Sequence, residues 1–229
     1  MYRDQVSDVF FDLDHTLWDF ERNSALTFER ILQENRVDVD LDDFLEVYIP
    51  VNLAFWKLYR EEKVTKSELR YQRLKTVFDT LKYRVSDAVI DQLAIDYIEY
   101  LSTYNHLFPN AMEVLDYLKP KYKLHIITNG FQEVQERKLK NAHIRGYFDQ
   151  VVNSEMAGVK KPNPLIFELA LNKAKTTSGN SMMIGDSIEA DILGARAVGI
   201  HTLHFNAHNE PEHEICQIIH DLGEIKKYL

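Results

Sequence analysis

The chain has a single cysteine, Cys216. No disulfide can close within it, and a reducing cytoplasm is the expected compartment. The neighbours Ile215 and Ile218 mark Cys216 as a packed side chain with no catalytic role. Positive charge is also short. Against 36 Asp and Glu stand 27 Lys and Arg, a formal charge of −9. That balance excludes a nucleic acid polymer as a general partner, because phosphate backbones are held by clustered Lys and Arg. A small anion is not excluded, since one cationic pocket or a metal can hold it. Apolar runs long enough to span a bilayer are missing too, so no membrane partner is expected. The stretch Met1-Tyr2-Arg3-Asp4-Gln5 lacks the apolar core of a signal peptide. What remains is an ordinary globular composition, 45% hydrophobic over 229 residues, enough for a large core domain and a smaller one.

The chain changes character twice. Val9-Phe10-Phe11 is a short apolar run of the buried-strand kind, and Asp12 and Asp14 follow it. Residues two apart in an extended strand point the same way, so both acids are delivered to one side of a strand's carboxyl end. From Trp18 to about His106 the pattern is helical, with a first helix capped by Asn23 or Ser24 and a second irregular at Pro50. Further helices run over 66–81 and from Ser86-Asp87. From Phe108 helices and strands alternate. Strands are expected at 122–128, 148–152, 181–184 and 200–205. Helices are expected after Asn110, at 132–141 with a charged, surface character, at 165–174 and at 190–198, and a helical tail from Pro211. Alternation of this kind implies βαβ units and a parallel sheet. The expected architecture is α/β: a Rossmann-like parallel core made of 1–17 and 107–229, with an all-helical cap inserted as 18–106 over the carboxyl edge of the sheet.

Four stretches carry chemistry. Asp12-Leu13-Asp14-His15-Thr16 is the first. Ile126-Ile127-Thr128-Asn129-Gly130 ends a strand in a hydroxyl and exposed backbone N–H groups, which suit phosphate oxygens. In Lys160-Lys161-Pro162-Asn163-Pro164, Pro162 keeps Lys161 out of helical angles while Asn163 and Pro164 begin a helix. Lys160 reads as a solvated charge. In Gly185-Asp186-Ser187-Ile188-Glu189-Ala190-Asp191 a strand again runs into an acid. Paired acids at a strand end are costly unless a cation neutralises them. An N-cap or surface role explains Asp191 acceptably and Asp186 poorly.

Taken in order, these stretches resemble the haloacid dehalogenase-like hydrolases, whose pattern DxDxT, strand-end Thr or Ser, Lys-Pro and GDxxxxD is matched throughout. The resemblance implies that Asp12 is a nucleophile forming an aspartyl-phosphate and that Asp14 is the general acid and base. It implies that Thr128 and the Asn129 backbone hold phosphoryl oxygens, and that Lys161 offsets charge on Asp12 and the phosphoryl group. Asp12, Asp186 and the Asp14 main-chain carbonyl are implied ligands of Mg²⁺. Asp191 is implied to touch a metal-bound water or to orient the ligands from behind.

Within that superfamily Asp14 discriminates. A departing halide needs no acid, and the dehalogenase pattern lacks this aspartate, so a phosphatase or phosphomutase of a small phosphorylated metabolite is expected. The flanks Phe11–Phe20, Thr128–Phe131 and Ser154–Pro162 resemble the pyrimidine 5′-nucleotidase branch, with a sugar-phosphate phosphatase as the alternative. One or more of Trp18, Phe20 and Trp56 are expected to face substrate, although aromatics at helical spacing are more often core. His15 is expected to point away from both acids. The rival of another class is a phosphate-binding or regulatory module without turnover.

Overall fold

Val9, Phe10 and Phe11 have no exposed surface, because β1 (Asp8–Phe11) runs between two parallel neighbours. The computed structural model describes residues 2–229. After β1 come four helices, α1 (Phe20–Glu34), α2 (Leu41–Arg60), α3 (Lys66–Thr80) and α4 (Asp87–Tyr100). The chain continues with α5 (Ala111–Leu118), β2 (Lys123–Thr128), α6 (Gln132–Asn141), β3 (Phe148–Asn153), α7 (Ser154–Ala157) and α8 (Pro164–Ala174). It closes with β4 (Ser181–Gly185), a π-helical turn Ile188–Leu193 running into α9 (Gly194–Ala197), β5 (His201–Phe205), β6 (Gln217–Ile219) and a 3₁₀ segment Leu222–Lys227.

All six strands pair in parallel, in the order β3-β2-β1-β4-β5-β6. This is a Rossmann-like α/β sheet. The strand order reverses between β1 and β4, and such a sheet opens a crevice beyond the carboxyl ends of its strands at that point. Phe11 lies level with Ile126 of β2 and Ile184 of β4. The residues that follow each of these therefore leave the sheet at one edge. Below that edge Phe10, Ile127, Val152 and Met183 form a buried core with Ile166, Phe167 and Ala170 of α8.

Two compact units result, Met1–Phe20 with Asn105–Leu229, and Glu21–Tyr104. Trp18 and Phe20 belong to the sheet unit. The backbone explains why: Phe108 N–H donates to Leu17 O at 2.9 Å and Asp19 N–H to His106 O at 3.0 Å. These bonds fasten the outgoing and returning chain together.

The helical unit is built on caps and rings. Asp40 accepts from the N–H groups of Asp42 and Asp43, and Thr65 forms a capping box with Glu68. Phe28 sits at its centre, 4.8 Å from Phe44, 4.5 Å from Tyr48 and 4.7 Å from Tyr97 between ring centroids. The buried Arg73 donates to Asn52 Oδ1 at 2.9 Å and lies 4.8 Å from the Tyr97 centroid, where the ring face offsets part of its lost hydration.

Several expected details change. Asn23 and Ser24 do not cap α1, which begins three residues before Asn23. Both are buried, and Ser24 Oγ bonds the Tyr97 hydroxyl at 2.9 Å. Helix α2 runs through Pro50 without interruption. The helix expected at 190–198 starts earlier, as the π turn. The tail from Pro211 is not helical throughout. It contributes β6 to the sheet edge and a 3₁₀ turn capped by Asp221 and Glu224. Leu222 and Ile225 imitate a helical stripe because 3₁₀ spacing also buries residues three apart.

Candidate active site

Asp12 is the first residue past β1, and its N–H extends the ladder to Ile184 O at 2.9 Å. Its carboxylate Oδ1 accepts from Lys161 Nζ at 2.6 Å. The same ammonium donates to Asp191 Oδ1 at 2.6 Å and to Ile127 O at 2.7 Å. A lysine has three donors, so this one is saturated by the chain itself. Asp186 leaves β4 beside them, accepting from Thr16 Oγ1 at 3.3 Å. Oxygens of Asp12, Asp186 and Asp191 lie within 4.8 Å of one another.

One cation thus faces three acids. Burial lifts Asp12 to about 7, against the pull of Lys161 and with the push of Asp191. Burial, then Asp191 and Asp12, raise Asp186 well above the usual carboxylate range. Burial also opposes charge on Lys161, but Asp12 and Asp191 outweigh it and keep the ammonium protonated. The site carries surplus negative charge that a divalent cation would balance. The donors are hard oxygens, which suit Mg²⁺ rather than a thiophilic metal. Asp191 has little left to offer a metal, since its Oδ2 accepts from Ser187 N–H at 3.1 Å. Asp12 and Asp186 are the freer ligands.

Asp191 is 1% exposed, which overturns a surface placement for it. The π turn brings it back beneath the end of β4. There a Cβ on Gly185 would stand 2.3 Å from Asp191 Oδ2. Gly185→Ala is therefore expected to push Asp191 off Lys161. Stability should fall by about 1–3 kcal/mol, as overpacking usually costs, and any turnover should fall with it. Urea denaturation alongside an activity assay measures both.

Thr128 ends β2. Its Oγ1 accepts from Gly130 N–H at 3.1 Å and from Gln135 Nε2 at 2.7 Å. The Asn129 side chain clamps the Lys161 backbone, accepting from its N–H at 2.7 Å and donating to its carbonyl at 3.0 Å. The peptide Lys161–Pro162 is cis.

Asp14 does not join the acid cluster around Lys161. Its Oδ1 accepts from Lys138 Nζ, and its Oδ2 from Gln135 Nε2 at 2.8 Å. Lys138 is 2% exposed and stands 3.9 Å from the Trp18 ring centroid and 5.2 Å from that of Phe20. Trp18 has no exposed surface, so its ring supports Lys138 and is not open to a ligand. Phe20 is nearly as buried, with His15 against it at 4.8 Å. Trp56 lies on α2 in the helical unit, edge-on to Tyr59 at 5.7 Å. His15 packs between Phe20 and His208, and burial, then His208, depress it to about 3.

Four residues of this site escape a reading by motif: Gln135, Lys138, His204 and His213. His204 Nε2 meets the Asp186 main-chain oxygen at 2.8 Å, and His213 Nε2 meets His204 Nδ1 at 3.0 Å. The signal for the first two is spacing. Val134, Gln135, Lys138 and Leu139 share one face of α6, and all four are buried. The apolar pair marks that face as inward, so α6 is not the purely charged surface helix expected.

Residues 9–199 match the family of haloacid dehalogenase-like hydrolases. The pyrimidine 5′-nucleotidase PynA of Streptococcus pneumoniae is 32% identical over 211 residues, 91% of this chain and 87% of that protein. The pyrimidine 5′-nucleotidase YjjG of Escherichia coli is 32% identical over 207 residues, 90% of this chain and 88% of that one. Among solved structures, the magnesium-bound HAD-hydrolase YfnB of Bacillus subtilis superposes with a TM-score of 0.88 at 24% identity, covering 98% of this chain and 99% of that one. No helix among the described residues is long and apolar enough to cross a membrane. With the family matched from β1 to beyond α9, and two relatives aligned over about nine-tenths of its length, the chain belongs to the haloacid dehalogenase-like hydrolases.

Proposed function

We propose that the chain is a Mg²⁺-dependent phosphomonoester hydrolase that carries the phosphoryl group on Asp12, and that its substrates are pyrimidine nucleoside 5′-monophosphates. The observation that carries the chemistry is the separation of Asp12 from Asp14. Lys161 pins one oxygen of Asp12, and its Oδ2 has no partner among the described residues. Asp14, two residues on, is held by a different lysine. Two acids in two environments suit two roles.

Asp12 Oδ2 attacks phosphorus, and the bond from phosphorus to the leaving oxygen breaks. That oxygen takes its proton from Asp14. To deliver it, the Asp14 carboxyl must release Lys138 or Gln135. In the second half Asp14 takes a proton from water, the water oxygen attacks phosphorus, and the bond to Asp12 breaks to free inorganic phosphate. Asp12, Asp186 and the Asp14 main-chain carbonyl would hold Mg²⁺, which supplies Lewis-acid neutralisation of the phosphoryl dianion. Lys161 spends its donors on Asp12, Asp191 and Ile127, so its task is to hold the acids together. The phosphoryl oxygens fall to Thr128 and the backbone after it.

The substrate reading is supported by PynA and YjjG, both named as pyrimidine 5′-nucleotidases. Phosphate release from UMP, dUMP and dTMP beside sugar phosphates is the test, with and without EDTA. The pyrimidine monophosphates should turn over fastest, chelation should stop release, and added Mg²⁺ should restore it. Preference for a sugar phosphate would replace the substrate and spare the chemistry. Absence of release with any ester or metal would favour a binding module.

A further inference from the structure

We infer that Gln135 is a positioning residue that aims the hydroxyl proton of Thr128 at a bound phosphoryl oxygen while tying that hydroxyl to Asp14. The inference rests on the phosphatase reading for its ligand and on hydrogen-bond accounting for its geometry.

A threonine hydroxyl has two acceptor positions and one proton to give. Both acceptor positions of Thr128 Oγ1 are filled, by Gly130 N–H and by Gln135 Nε2. Its proton goes to no acceptor among the described residues, although Thr128 is 1% exposed. A buried O–H that can only donate, beside the Asp12 and Asp14 strand end, is a made place for an anionic oxygen. A free hydroxyl would rotate and offer a lone pair as readily as a proton.

The orientation of Gln135 is itself decided by Asp14. Nitrogen and oxygen of a carboxamide exchange places when it flips. Turned the other way, Gln135 Oε1 could accept the Thr128 proton and gain the partner it now lacks, for it is buried and unpaired among the described residues. That turn would set Oε1 against Asp14 Oδ2 at the 2.8 Å now spanned by Nε2. As the carboxylate that Lys138 holds in the resting site, Asp14 only accepts, so the turn is blocked until Asp14 takes up the proton it later delivers. Both hydrogens of Nε2 are spent, one on Asp14 and one on Thr128. Gly130 keeps the gap open, since a Cβ there would stand 2.3 Å from Gln135 Nε2.

Gln135→Met keeps length and bulk and removes the donor. Isothermal titration with inorganic phosphate in Mg²⁺ buffer should show Kd rising about tenfold, the loss of one hydrogen bond to a charged group, with an unchanged urea midpoint. Thr128→Val should cost a similar factor. The double variant should lose about tenfold rather than a hundredfold, because Gln135 acts through the hydroxyl that valine lacks. A merely structural glutamine would not give that non-additivity. Gly130→Ala, which displaces the Gln135 side chain, should reproduce the Kd shift and decides the matter if Gln135→Met folds poorly. Multiplying losses, a wild-type Kd in a well-folded Gln135→Met, or a wild-type protein that binds no phosphate would each overturn the inference. Turnover of p-nitrophenyl phosphate by wild type is scored separately, so failure of the hydrolase reading leaves the binding cycle interpretable.

Discussion

Asp12→Asn is expected to abolish phosphate release, by on the order of 10⁴-fold or more, in a protein no less stable than wild type when Mg²⁺ is absent. The amide keeps the shape of the carboxyl but cannot attack phosphorus. Stability follows from the charge count around Lys161. Wild-type Asp12 is raised from 3.8 to about 7 by burial. The folded state therefore binds its proton more tightly than the unfolded chain does. Stability from this group is present below about pH 4 and is lost as pH rises toward about 7, because the native state holds more protons across that window. Asn carries no such dependence, and Lys161 keeps Asp191 as its ionic partner. Urea titrations without metal between pH 4 and 8 should show wild type weakening more steeply than Asp12→Asn, with Mg²⁺ narrowing the gap. Retained turnover would remove Asp12 from the role of nucleophile, and a variant unstable at every pH would remove the surplus-charge account.

The elements legible in the sequence are those with a period or a punctuation mark. Buried parallel strands read as apolar runs; β2 and β4 each end in the residue that breaks the run, and β1 ends one residue before Asp12 breaks it. Ser86 announced α4 because a cap is a local bond, and α3 showed in its apolar spacing over 66–81. What stayed hidden lacks local expression. The motif implied a role for Asp191, but not the π turn that carries it under Gly185. Gln135 and Lys138 sit on a helix dense in charge, and nothing in their own neighbourhood names Asp14, more than a hundred residues earlier, as their partner. β6 is three residues long, too short for a twofold alternation to register. Strand ends and motif acids are set by the chain nearby, whereas the groups that orient them are set by tertiary packing.

Lys161→Met should be the most destabilising single change at the site. Methionine fills much the same volume, so packing is largely kept. Three bonds disappear, and Asp12, Asp191 and the Ile127 carbonyl are left buried without their donor. Removing one partner of a buried ionic group costs about 3–5 kcal/mol. The loss should be largest at pH 8, where both acids would have to stay charged side by side, and smaller at pH 5. The sign follows from Asp12, already raised by burial and raised further without Lys161, whose protonation on acidification relieves the repulsion. Adding Asp12→Asn should return part of the stability at pH 8, because the paired acids become one, and the two changes should be strongly non-additive. Urea midpoints of the four proteins at both pH values read this directly. Simple additivity, or equal loss at pH 5 and pH 8, would mean that Lys161 stabilises the crevice by packing and not by holding its acids together.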